Sequence, residues 1–97
     1  MIHVLTRLDK DDRLFVMKVA EADGAFALVE GAKYLSLGAI SKRTSIRDGF
    51  SVQEWVGVSD GDIYQVRAGT RKKAVELLLA RYGMVAIRDV DTIPALF

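Results

Sequence analysis

The chain of 97 residues contains no cysteine. That excludes disulfides, thiolate catalysis and every zinc or iron–sulfur site built on sulfur, and it fits a reducing compartment. Pro94 is the sole proline and His3 the sole histidine. A single histidine in a β-rich stretch, with no sequence partner, frames neither a general base nor a metal site. Neither sign of charge dominates: 14 Lys and Arg face 13 Asp and Glu, a net of +1. Whole-molecule attraction to nucleic acid or to an acidic membrane is not indicated, so an electrostatic site must be a local patch. No apolar run approaches the ~20 residues of a membrane span. The amino end, MIHVLTRLDKDD, lacks the apolar core and small-residue cleavage site of a secretory signal. Together these absences predict a cytoplasmic protein with no membrane partner.

Motifs for chemistry are missing as well. No G-x-S-x-G elbow or Ser–Lys motif frames a hydroxyl. The stretch GVSDGD has neither the Walker spacing nor its lysine. Asp9, Asp11 and Asp12 lack the alternating oxygens, central glycine and distal glutamate of a calcium loop. Asp89 and Asp91 stand without other ligand types nearby. No catalytic residue, cofactor or metal site is expected, and the chain reads as non-enzymatic.

What is present is apolar: 51% of the residues, enough to exclude a disordered chain. With no linker, repeat or low-complexity tract, residues 1–97 form one expected domain. Ile2–Leu8 and Arg13–Ala22 are β-rich and flank a polar turn, Asp9–Asp12. Ala25–Val29 follows the turn pair Asp23-Gly24 and reads as a third strand. Lys33–Ile40 carries two signals: a helical spacing at Ala32, Leu35, Ala39 and Ile40, and the glycines and Tyr34 of a strand or loop. Ser41–Ser51 is polar, basic and turn-rich, which predicts an exposed loop. Val52–Val58 and Ile63–Ala68 form a hairpin around Asp60-Gly61.

The one clear helix is Arg71–Tyr82. Thr70 is its amino cap and Gly83 its left-handed terminator. At about 100° per residue, Ala74, Val75, Leu78, Leu79 and Tyr82 share one face, opposite Lys72, Lys73, Glu76 and Ala80. Strands followed by one helix predict an α+β fold: two layers, an antiparallel sheet with one principal C-terminal helix, Arg71–Tyr82.

That helix opens on Arg71, Lys72 and Lys73, where the dipole disfavours cations by roughly 0.3–1 kcal/mol each. Two explanations compete. Lys and Arg are good helix formers, and a solvated start tolerates them. Alternatively the N–H groups and cations converge on phosphate, with Arg67 as a fourth cation and Lys42, Arg43 and Arg47 as a second contact. Trp55 either anchors the sheet on the helix or, facing out near Tyr64, forms an interface or a base-stacking platform.

A hairpin followed by Thr70-Arg71-Lys72-Lys73-Ala74 resembles the second half of a double-stranded-RNA-binding domain, with its Ser-Lys-Lys-x-Ala-Lys pattern. Thr70, Arg71, Lys72 and Ala74 occupy matching places, and the final lysine falls on Val75. The resemblance covers Ser51–Gly83 and implies phosphate contacts by those cations. That family also uses an amino-terminal helix on the minor groove, which has no counterpart here. The same segment is similar to the small arm domains of phage-type integrases, whose order is strand–strand–strand–helix and whose sheet reads DNA.

The sequence therefore points first to a small accessory or regulatory module, of the kind common in phages and mobile elements, acting through protein–protein contact. Its partner is another protein or its own copy. Consecutive apolar residues at Leu14–Met17 and Phe26–Val29 put apolar surface on both sheet faces. They predict a homo-oligomer or stable complex, with Trp55, Tyr64 and Phe97 as candidate interface residues. The alternative is a nucleic-acid-binding module using the basic helix start Arg71–Lys73.

Overall fold

A computed structural model of the protein describes residues 2–22 and 25–87. The expected Asp23-Gly24 turn, Asp89, Asp91, Pro94 and the interface candidate Phe97 lie outside the described residues.

Ile2–Leu8 forms strand β1 and Arg13–Ala22 forms β2, paired antiparallel. Their turn is held by one side chain. Asp9 Oδ1 accepts from the backbone N–H groups of Asp11 and Arg13, both at 2.9 Å. This is the local bonding that makes aspartate a turn residue. Ala25–Leu28 forms β3, which pairs with the far end of β2.

Strand β4 runs over Leu35–Arg47 and β5 over Phe50–Ser59, joined by Asp48 and Gly49. The expectation of a loop over Ser41–Ser51 is overturned. Both turn residues have positive φ, 51° and 80°. This is the two-residue turn whose twist matches paired strands. The ambiguity over Lys33–Ile40 resolves as extended chain, with β4 beginning at Leu35. A bulge explains the mixed signal. Leu14 pairs with Gly38 and Phe15 with Ser36, so Leu37 is the extra residue. Past a bulge the inward positions lose their period of two, and buried Leu37 and Ile40 stand three apart, as on a helix.

Strand β6, Gln65–Ala68, pairs antiparallel with β5 as expected. The connection is wider than a tight turn, because Asp60–Asp62 forms a single 3₁₀ turn. Ser59 closes it: its hydroxyl accepts from Tyr64 N–H at 2.8 Å, and its own N–H donates to Tyr64 O at 3.0 Å. The strand therefore starts two residues later than expected, and Ile63 stays exposed.

Helix α1 spans Arg71–Arg81, with Tyr82 at its carboxyl cap. Thr70 Oγ1 accepts from Lys73 N–H at 3.1 Å, and Gly83 takes φ 68°, so both end signals act as expected. Met84–Ala86 forms β7.

The sheet order is β6-β5-β4-β2-β1-β7, with β3 beside β2. Every pair is antiparallel except β1–β7, which is parallel, so the expected antiparallel sheet is in fact mixed. The cause is the helix. It carries the chain from the β6 edge to the opposite edge, and a crossover of that kind permits a parallel strand. Helix α1 touches β4, β5, β6 and β7. Six flat strands would hold their edges about 24 Å apart at ~4.8 Å per strand, against a helix ~10 Å wide. The sheet must curl around the helix to meet it at both edges. The fold is α+β: a curled mixed sheet enclosing one principal helix.

Val4, Leu14, Val16, Leu37, Ile40 and Val66 from the sheet pack with Ala74, Val75, Leu78 and Leu79 from α1. The opposite helix face, Lys72, Lys73, Glu76 and Ala80, is exposed. Leu5 and Met17 are a registered pair on the reverse face of the sheet, and they are also buried. The run Leu14–Met17 thus contributes to both faces, as alternation requires.

Candidate functional site

Strand β2 reaches β4 only through Leu35–Ala39, and β6 reaches β5 only through Trp55–Val58. Beyond those limits Arg43–Arg47 and Phe50–Glu54 pair only with each other among the described residues. They form a two-stranded arm about 17 Å long at ~3.4 Å per residue. The molecule is correspondingly elongated, 53 × 26 × 24 Å.

Register assigns the arm's side chains to two faces. Lys42 opposes Trp55, Thr44 opposes Gln53 and Ile46 opposes Ser51. These share the face of Ile40 and Gly57, which pack toward α1. On the reverse face Arg43 opposes Glu54, Ser45 opposes Val52 and Arg47 opposes Phe50. The tip is apolar and open: Ile46 is 77% exposed, Phe50 74% and Val52 37%. Fully burying side chains of this kind gains about 1.5–3 kcal/mol each.

The candidate cations divide between these faces. On the reverse face Glu54 sits among arginines. Its carboxylate accepts from Arg67 Nη1 at 2.9 Å and lies 3.6 Å from Arg47 Nη2, and only 12% of its side chain is exposed. On the helix side Lys42 Nζ and Arg71 Cζ approach the Trp55 ring, 6.0 and 5.9 Å from its centroid. The indole therefore links the arm's root to the helix start through cation–π attraction. Arg71 also lies 3.9 Å from Asp12 Oδ1, and Lys73 Nζ lies 3.8 Å from Glu76 Oε2. Lys72 and Lys73 are on the exposed helix face.

Arg67, Arg71, Lys72 and Lys73 thus do not form one cradle, because Arg67 engages Glu54 on the other side of the sheet. Lys42, Arg43 and Arg47 belong to a strand rather than a loop. Trp55 is half-buried against the core and opposes Ala68. Tyr64 meets Tyr82 edge-on, with ring centroids 5.2 Å apart, and Arg81 lies 5.9 Å from the Tyr64 ring. Trp55 and Tyr64 thus each have packing partners within the fold. His3 is half-buried and its ring lies 5.0 Å from that of Phe26, tilted by 50°. Among the described residues no group of three or more His, Asp or Glu side chains is placed to hold a metal ion. None of the helices there is long and apolar enough to cross a membrane.

Sequence reasoning missed Ile46, Phe50 and Val52. The signal was present: Asp48-Gly49 stands between Thr44, Ile46 and Phe50, Val52, a turn pair flanked by strand formers. Comparison of the chain with known protein families, curated proteins and solved structures finds no match.

Proposed function

We propose that the protein is a non-enzymatic interaction module whose docking element is the β4–β5 arm, and that its first partner is a second copy of itself. The observation that carries this is the pair of large apolar side chains, Ile46 and Phe50, held in solvent at the arm tip. A ribbon whose two edges are unpaired among the described residues also offers backbone donors and acceptors to another chain. In this proposal the helix and the curled sheet make up two layers, and the arm projects from them. Light scattering across a dilution series tests it, comparing the protein with an Ile46→Ser/Phe50→Ser variant. Both side chains are mostly exposed, so the variant should fold normally by circular dichroism. The unaltered protein should exceed the mass of one chain and dissociate on dilution, while the variant stays monomeric. A protein that is monomeric at every concentration refutes self-association.

A second function, nucleic-acid binding, is favoured by one observation. Arg43, Arg47 and Arg67 lie on the sheet face turned away from α1. Glu54 offsets part of that charge. Gel shifts at low salt test it. Arg43→Ala/Arg47→Ala should weaken binding and lower the log–log salt slope by about 0.7–0.9 per lost phosphate contact. No shift with duplex or single strands eliminates it.

A further inference from the structure

We infer that the open edge of β5, Phe50–Glu54, pairs antiparallel with the same edge of a second copy, about a two-fold axis near Val52. This deepens the self-association proposed above and rests on it. Among the described residues the arm has two open edges, and their chemistry differs. The β4 edge carries Lys42, Arg43 and Arg47. Joining two such edges would bring three cations from each copy together, and charged side chains on an edge are a standard guard against pairing. The β5 edge, Phe50-Ser51-Val52-Gln53-Glu54, carries no cation and no proline. Its one charge is the Glu54 carboxylate, already set among arginines.

Joined through β5, the arms make a four-stranded ribbon with both Glu54 carboxylates on the inner strands. The arginines of the two β4 strands then lie outside them, an arrangement of complementary charge. Side chains opposed across an antiparallel pair share a face. Phe50, Val52 and Glu54 alternate onto one face of β5, so Val52 meets its counterpart and both Phe50 rings flank that contact. Strand β6 stops pairing with β5 at Trp55, and the partner strand takes over beyond that point. The symmetric contact consumes both β5 edges and leaves the cationic β4 edges outermost, so assembly stops at a dimer. A head-to-tail contact, β5 on β4, would propagate without closing.

The chain has no cysteine, so a single introduced one reports the contact. Opposed residues near the two-fold have Cα atoms about 4.5–5.5 Å apart, within the disulfide range of about 4.4–6.8 Å. Val52→Cys should oxidise to a disulfide-linked dimer in dilute solution, while Thr44→Cys, on the outer strand, should not. Independently, Val52→Lys places like charges at the axis and should raise the dimer dissociation constant at least tenfold. A protein that dimerises by light scattering overturns the edge pairing if Val52→Lys leaves its dissociation constant unchanged, and leaves self-association standing on another surface. Equal cross-linking at both cysteine positions, or open-ended oligomers, overturns it too. A monomer at every concentration overturns both proposals.

Discussion

Leu78→Ala is the sharpest test of how α1 sits in the sheet. Leu78 is fully buried within the central cluster. The substitution removes three carbons, and at ~0.8 kcal/mol per buried CH₂ the lost transfer energy is about 2.4 kcal/mol. A cavity cost adds to it. Strands from both ends of the sheet close around the helix, so the walls have little room to move inward. The expected total is about 3–4 kcal/mol, inside the ~2–5 kcal/mol span for such truncations. A domain of this size is stable by only about 5–15 kcal/mol, so the loss is a large part of the whole. Urea unfolding at fixed protein concentration measures it. The slope should hold, and with a slope near 1 kcal/mol/M the midpoint should fall by about 3 M. Ala80→Ser, on the solvent face, should change stability by less than about 0.5 kcal/mol. A Leu78→Ala effect below ~0.5 kcal/mol would refute the helix orientation, and with it the outward placement of Lys72 and Lys73.

Two further substitutions probe backbone positions. A Cβ at Gly38 would run into the Val58 carbonyl oxygen and stand 2.9 Å from Ser59 Cα. Both belong to the registered partner strand, so Gly38→Ala should cost about 2 kcal/mol or more by overpacking. Gly69→Ala meets nothing within 4 Å and should be nearly neutral in a thermal melt; equal effects would show that the close approach of β5 to Gly38 is misplaced. Thr70→Ala removes the hydroxyl that accepts from Lys73 N–H and should lower stability by about 1 kcal/mol, whereas Thr70→Ser retains it. An unchanged melting temperature in the alanine variant would contradict the cap.

The parts legible in the sequence are those governed by neighbours along the chain. Helix α1 was readable because Thr70, the apolar spacing Ala74–Leu79 and Gly83 act within a few residues of each other. The β1–β2 hairpin was readable for the same reason, through Asp9. The arm was obscured by composition. Ser41–Ser51 is polar enough to pass for a loop, and only Asp48-Gly49 marks it as paired. Leu37 obscured the start of β4, since a bulge mimics helical spacing. The division of cations between two faces was beyond reach. Whether Arg67 joins Arg71 or Glu54 depends on the register between β5 and β6, which no local pattern encodes.

The parallel pairing of β7 with β1 has a consequence for how the chain acquires its fold. Ile2 N–H donates to Gly83 O at 2.9 Å, and Ile87 N–H donates to Val4 O at 3.1 Å. The hairpins need only short loops to close, whereas this contact joins segments from opposite ends of the described chain. Closure entropy rises with the logarithm of loop length, and long-range pairs form only after local ones have shortened the path. The β4–β5 ribbon can therefore assemble while the polypeptide is still being synthesised, but the outer side of β1 stays open until Met84–Ala86 has emerged. During that interval β1 is itself an unguarded edge. A chain halted before Met84 would keep the arm and lose the strand that covers β1, which makes truncation here a route to aggregation rather than to a smaller working domain.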